Sequence, residues 1–297
     1  MNKFLYYLLW FCRCTFHGDR IPLTSSIILT DRCNLACRHC VVSNLGYRDL
    51  PFRQVMRDLE TLHRLGVRML VITGGEPLLW TDDQYTVEDV VLGAKRLGFF
   101  RIVVCTNGTL ALSSSADYLW VSLDGLPEEH NRMRGEVYDR VVDQIARSRH
   151  PRININFTIS KENADRLSVS AEHLLHLPNV HGILFHIFTP YLGTDQDLAL
   201  DADQREIALD TLRGLKRRHP LKLMNTFDGI RLLRSNRWER PVWSSIVVND
   251  GRLSPCCCRA GIANEDVCRS CGCSPAVETF ALQTARPLAA LEWLRWL

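Results

Sequence analysis

Cys33, Cys37 and Cys40 have the types and spacing best suited to chemistry in this chain. They form a C-x3-C-x2-C run just beyond the apolar stretch 26–29. Thiolates this close in sequence can converge on one metal centre. Iron–sulfur clusters are held by thiolates, usually four of them. Three local cysteines without an evident fourth describe a cluster with one iron left open to bind a substrate or cofactor.

The other cysteines are grouped as well. Of the twelve, three lie at 256–258 and three at 268–273, while Cys12, Cys14 and Cys105 stand apart as small apolar residues. The N-terminus has no small-residue cleavage site after its apolar stretch, so no secretory signal is read there. Clustered cysteines without an export signal point to metal ligands rather than disulfides. The expected location is cytoplasmic. Residues 3–11 are apolar but too short to span a bilayer. They are expected to pack on the domain as a helix, with peripheral membrane-surface contact as the alternative. Thirty-six basic against thirty-three acidic side chains leave a net charge of +3. With no basic tract and no interleaved aromatics, nucleic acid is not an expected partner.

The elements that must position these residues alternate along the chain. Strands are expected at 26–29, 68–73, 101–105, 118–123, 153–160 and 180–188. Helices are expected at 51–65, 86–97, 137–147 and 163–177, the first two ending at Gly66 and Gly98. Repeated strand–helix units imply parallel strands with right-handed crossovers. The polar motifs follow strand ends, which in a barrel face one mouth. The fold expected is therefore α/β, a partial (β/α)6 TIM-like barrel with a small C-terminal cysteine-rich extension. Beyond 190 the pattern weakens to a helix at 202–218, a strand at 221–225, a short helix at 228–236 and a hairpin turning at Asp250-Gly251. A closing helix is expected over 275–297, interrupted by Pro287. The organisation read from this is an apolar segment at 1–25, a core at 26–190 and a C-terminal region at 191–297.

Four motifs in this order resemble the radical S-adenosylmethionine (SAM) enzymes. They are the three cysteines, Gly74-Gly75-Glu76-Pro77, Thr106-Asn107-Gly108 and Val121-Ser122-Leu123-Asp124-Gly125, each at a strand end. The resemblance implies a 4Fe–4S cluster on Cys33, Cys37 and Cys40 whose open iron binds S-adenosyl-L-methionine. It implies reductive cleavage to a 5′-deoxyadenosyl radical that takes hydrogen from a substrate. It also implies a low-potential electron donor such as flavodoxin or ferredoxin. Gly74 and Gly75 would let the backbone approach the ligand. Glu76 would accept from the methionine ammonium, and Pro77 would fix the loop exit. Asn107 and Ser122 are candidate cofactor contacts. Arg134, in His130-Asn131-Arg132-Met133-Arg134-Gly135, can pair with the cofactor carboxylate. Asp124 either faces substrate or caps the next turn. His39 shields the cluster rather than ligating it. Asn154, Asn156 and Thr158 share one strand face toward the cavity.

The segment 241–275 resembles the SPASM or shortened twitch domains that hold auxiliary clusters. With six cysteines it is read as one auxiliary 4Fe–4S site on Cys268, Cys271, Cys273 and one of 256–258, with Cys256 taken as the fourth. A zinc knob is the alternative. The expected function is that of a radical SAM enzyme acting on a peptide, a small metabolite or cofactor precursor, or a lipid. The rival is a non-catalytic metal-binding or electron-transfer protein.

Overall fold

A computed structural model describes residues 3–257, 264–284 and Glu292. Its centre is an eight-stranded sheet in the order β10-β9-β1-β2-β5-β6-β7-β8. Strands β1 (Thr24–Ile28), β2 (Met69–Thr73), β5 (Arg101–Thr106), β6 (Tyr118–Ser122), β7 (Ile153–Ile159) and β8 (Val180–Ile187) run parallel in chain order. A two-residue hairpin, β3 (Thr81–Asp82) with β4 (Tyr85–Thr86), interrupts the crossover after β2. The six expected strands are present, and the sheet curls into the expected partial barrel.

Local sequence accounts for the helices. Helix α2 (Phe52–Arg64) turns Val55, Leu59 and Leu62 inward, one apolar stripe at helical spacing. It stops before Gly66, which takes φ +102°. Helix α3 (Val87–Leu97) begins where Asp89 accepts from the Thr86 N–H at 2.9 Å and ends at Gly98 with φ +91°. Two more helices, α4 (Pro127–Arg134) and α5 (Tyr138–Arg147), lie between β6 and β7, and α6 (Leu167–Leu175) lies between β7 and β8. Helix α4 was not expected: its polar sequence has no apolar stripe, and its start signals are limited to Pro127 and the acidic Glu128 and Glu129 of its first turn.

The C-terminal part departs from a separate extension. After α7 (Ala202–Arg218) and α8 (Phe227–Ser235), strand β9 (Ser245–Asn249) joins the free edge of β1 in parallel register. Strand β10 (Arg252–Pro255) pairs back antiparallel across the Asp250-Gly251 turn, as that dipeptide predicts. The hairpin therefore widens the barrel sheet. The expected strand at 221–225 is reduced to one bridge, Leu223 to Ile183. Asn225 turns away and uses its side-chain amide on both backbone groups of Phe185, which ends the pairing. Helix α9 (Glu265–Arg269) carries Cys268, and α10 (Ser274–Gln283) packs against α8 and β8. The expected helix beyond 284, Pro287 included, lies outside the described residues apart from Glu292.

Small or short side chains at several inner-face positions, Thr24, Ser26, Cys105 and Gly182 among them, leave the sheet hollow. In register order, Thr24, Met69 and Arg101 form the lowest layer, and Ser26, Val71, Val103 and Tyr118 the next. Cys105, Trp120 and Asn154 come above, beside Gly182, which contributes no side chain. Barrel interiors are ordinarily filled by such layers; here they line a cavity. Helix α1 (Lys3–Phe16) packs across the lower end of the sheet, burying Tyr7 and Trp10 against Leu23 and Leu282, with Met69 and Phe100 alongside. Phe4, Leu5, Leu8 and Leu9 face outward. No described helix is long and apolar enough to cross a membrane.

Trp80 anchors the wall behind the Gly-Gly-Glu-Pro loop. It is almost wholly buried, and its Nε1–H donates to the Leu50 carbonyl at 2.9 Å. Trp80→Ala is expected to lower unfolding free energy by about 3–5 kcal/mol, measured by denaturant titration.

Candidate functional site

The cysteine loop and the Gly74–Pro77 loop fit face to face. Gly75 N–H donates to the Thr30 carbonyl at 2.8 Å, and Glu76 N–H donates to the Arg32 carbonyl at 2.8 Å. A Cβ on Gly75 would lie 2.3 Å from the Asp31 carbonyl oxygen and 2.4 Å from that of Arg32. One on Gly74 would lie 2.5 Å from the Thr30 carbonyl oxygen. The glycines are thus required by the adjoining loop itself. The cysteine loop is braced elsewhere too. Cys33 N–H donates to Asn44 Oδ1 at 3.0 Å, and Arg38 N–H to the Met133 carbonyl at 3.1 Å. Arg38 also pairs with Glu162 and Asp195, both at 2.7 Å.

Glu76 sits behind the cavity wall. Its carboxylate is fully buried and accepts from Thr106 Oγ1 at 2.8 Å, Asn107 N–H at 2.7 Å and Leu78 N–H at 3.1 Å. Burial pushes its carboxyl upward while those donors oppose the shift. Its oxygens hold the Asn107 loop in the place where a methionine ammonium was expected, so Glu76 positions. Pro77 opens the short turn that follows, also off the cavity. Asn107 does reach the cavity. Its Nδ2 donates to Asn34 Oδ1 at 2.9 Å and lies 3.7 Å from Cys33 Sγ, while its Oδ1 accepts from Thr109 N–H at 2.9 Å.

One cavity of about 400 Å3 runs through the barrel. Cys33, Cys37 and Cys40 lie at its mouth with Gly74, Gly75 and Asn107. Ser122, Arg134, Asn156 and Thr158 line it further round. Asn154 lies on the same strand face but is buried below, with neither side-chain polar atom bonded. The Arg134 Nε bonds Asp124 Oδ2 at 2.6 Å, and Nη1 lies 4.0 Å from Cys37 Sγ. Asp124 is fully buried and also accepts from Thr158 N–H at 2.7 Å. Burial alone would raise its carboxyl; Arg134, with His39 and His130 nearby, holds it below the usual range. Asp124 therefore anchors Arg134 instead of facing substrate. Burial drives the Cys37 thiol up to about 11, against the pull of Arg134. Among the described residues no three His, Cys, Asp or Glu side chains close on a single ion. The three cysteines surround a space instead, and a cluster needs one thiolate per iron rather than one shared point. A guanidinium beside that space offsets thiolate charge, so the donor set fits a cluster.

The second cysteine group reaches the same cavity through Cys257 and Cys273. Cys256, taken as the fourth auxiliary ligand, is buried beside Ile28 and Val247 and is not on the cavity wall. Adjacent residues in extended chain point to opposite sides, and the spacing alone could not say which of the two faced inward. Cys271 is buried and its sulfur accepts from Cys273 N–H at 3.4 Å; Cys268 is half-buried on α9. Cys258 lies outside the described residues.

Residues 27–172 match the sequence profile of the radical SAM superfamily. The chain therefore carries a radical SAM domain over those residues. Members of this enzyme family use a 4Fe–4S cluster and SAM. The chain is 29% identical over 223 residues to the pre-heme d1 synthase of Dinoroseobacter shibae, covering 66% of this chain and 53% of that protein. It is 27% identical over 195 residues to the AdoMet-dependent heme synthase of Methanosarcina barkeri, covering 60% and 54%. Over 85 residues it is 49% identical to the GTP 3′,8-cyclase of Rhodobacter capsulatus, 28% of this chain and 24% of that one. The chain thus spans about half the length, or less, of these curated relatives. In fold it is similar to Streptococcus suis SuiB bound to S-adenosylmethionine, with TM-score 0.67 and 15% identity over 99% of this chain and 74% of that one. It is also similar to anSMEcpe with bound AdoMet, with TM-score 0.60 and 15% identity over 89% and 84%.

Sequence reasoning missed two cavity groups. His186 Nε2 lies 2.6 Å from Asn156 Oδ1, and its Nδ1 lies 3.4 Å from Ser274 N. Glu278 of α10 accepts from Thr226 N–H at 2.9 Å and Thr226 Oγ1 at 2.6 Å, capping α8. A glutamate in an otherwise apolar stretch was the only signal for it. Burial raises its carboxyl from 4.5 to about 7, with the Thr226 bonds opposing. Between those values the folded chain holds a proton that the unfolded chain lacks, so stability falls as pH rises across that window. Glu278→Gln, which keeps an acceptor for Thr226, is expected to flatten that part of the melting temperature–pH profile, measured by calorimetry.

Proposed function

We propose that this chain is a radical SAM enzyme with one auxiliary 4Fe–4S cluster, acting on a small metabolite or cofactor precursor. The observation that carries the reading is the meeting of both cysteine groups on one cavity wall, Cys33, Cys37 and Cys40 at one side and Cys257 and Cys273 at another. A structural zinc knob or an electron relay has no need of a shared hollow barrel. Cys33, Cys37 and Cys40 hold the first cluster. A cluster held there would supply the electron for reductive cleavage of SAM to a 5′-deoxyadenosyl radical, the species that would take a hydrogen atom from substrate.

The chain's own groups orient the cofactor and keep water out. Gly74 and Gly75 lay backbone along the cavity beside the cysteines. Asn107 and Ser122 offer polar contacts to ribose or methionine, and the outer Nη atoms of Arg134 receive a carboxylate while Asp124 fixes the fork. Cys273, Cys271, Cys268 and one of Cys256 and Cys257 hold the auxiliary cluster, with Cys257 favoured by its place on the wall. Cys258 also remains a candidate. An external donor of the flavodoxin or ferredoxin type supplies the electron. The relatives named as heme synthases and GTP cyclases support the cofactor-precursor class. The likeness to SuiB bound to the precursor peptide SuiA keeps a peptide as the second class.

Anaerobically reconstituted protein should carry roughly eight irons per chain and release 5′-deoxyadenosine from SAM with dithionite. Cys37→Ala should abolish the nucleoside, whereas Cys273→Ala should lower iron to roughly four while the first cluster persists. Zinc in place of iron, or an intact cluster that yields no 5′-deoxyadenosine, would sink the proposal.

A further inference from the structure

The cavity does not end beneath the cofactor residues. It continues down the barrel to Thr24, Met69, Arg101 and Tyr118 in the two lowest layers. Arg101 lies six residues before Asn107 on the same stretch of chain, so the floor is roughly 20 Å below the mouth. Between them the wall is largely uncharged, with Val71, Val103, Cys105 and Trp120 along the inner face. At the floor the character changes. The Arg101 guanidinium lies 5.1 Å from the Tyr118 ring centre, and that of Arg152 lies 5.3 Å from the same centre. Neither has a carboxylate within salt-bridge distance among the described residues, although Arg13, Arg32, Arg38, Arg132 and Arg134 all do. Stacking on a tyrosine face holds a guanidinium in place and leaves its in-plane donors open.

We propose that Arg101, on the cavity floor, is an anion-binding subsite for the far end of the substrate, with Arg152 exposed on the outer side of the same tyrosine and not on the cavity wall. The ligand class is an elongated, mainly apolar molecule bearing a carboxylate or phosphate at the end remote from the cofactor. This rests on the radical SAM reading only for which end reacts; the binding site itself stands on the cavity. The other wall carboxylate and cation do not compete. Glu278 spends both oxygens on Thr226, and Arg134 is paired to Asp124 near the mouth, with its outer Nη atoms taken by the carboxylate of bound SAM. An anion entering from the mouth therefore meets its first unpaired positive charge at the floor.

The test uses the reconstituted enzyme with SAM and three ten-carbon probes below their micelle concentrations: decanoate, decyl phosphate and decanol. Calorimetric titration should show at least one anionic probe binding about tenfold or more tighter than decanol, and the tighter anion identifies the headgroup. Arg101→Gln should abolish that preference and leave decanol binding unchanged, while Arg101→Lys should keep part of it. Formation of 5′-deoxyadenosine in the absence of substrate should be unaffected in both variants, which shows that they are folded and loaded. Equal binding of decanol and the anions, no binding of any probe, or a preference that survives in Arg101→Gln would overturn the subsite. If the preference tracks Arg101 but wild type makes no 5′-deoxyadenosine, the subsite stands and the radical reading falls.

Discussion

The contact on which the rest of this structure depends is backbone against backbone. The Gly74–Glu76 segment lies so close to the carbonyls of Thr30, Asp31 and Arg32 that neither glycine can carry a side chain. Two hydrogen bonds of 2.8 Å lock the loops together. The cysteine loop has no regular secondary structure of its own. Its geometry is borrowed from the end of β2, and from Glu76 the same support passes to Thr106 and Asn107 at the end of β5. Three successive strand ends are thereby fixed relative to one another before any cofactor binds. Preorganisation of this kind lets binding energy go into recognition rather than into ordering the loop.

The second constraint is what the barrel leaves out. Thr24, Ser26, Cys105 and Gly182 stand where bulky branched residues would fill a closed barrel core. The lost packing is offset outside the sheet, where α2, α3, α5, α6 and α7 bury a continuous apolar layer. Closure comes from three additions. Helix α1 seals the lower end, β9 and β10 extend the sheet past β1, and α10 stands beside the open edge at β8. The hollow is therefore a product of the whole chain, and its lining combines residues from position 24 to position 279.

Charge is distributed along this hollow in an ordered way. Near the mouth, Arg134 is tied to the buried Asp124 and lies beside the Cys37 sulfur, which suits a site where thiolates must lose their protons. Midway, His186 and Asn156 satisfy each other. On the α10 side, Glu278 is held as a helix cap, its carboxyl pushed up by burial. Of the two arginines that line the cavity, Arg101 at the floor is the one without a carboxylate partner among the described residues. A buried charge pair near the mouth and a half-buried arginine without a carboxylate partner at the far end give the cavity a direction.

The sequence by itself determined the strand–helix alternation, the hairpin at Asp250-Gly251 and the cavity-mouth residues. Those signals are local: cysteine spacing, glycine pairs and apolar periodicity act within a few residues. It could not determine that Glu76 turns inward to hold Asn107, because burial of a carboxylate depends on which strand lies beside it. Nor could it choose Cys257 over Cys256 for the cavity wall, since one residue of register reverses which side chain points inward. Helix α4 was hidden because contacts from its neighbours, rather than an apolar stripe, hold it. The junction of the two cysteine groups, more than two hundred residues apart by numbering, was decided by β9 pairing with β1 and by Gly272 bonding to the end of β8. Parallel strand pairing across such a distance is a tertiary event. It turned a small extension into part of the barrel and brought the second set of cysteines to the site announced by the first.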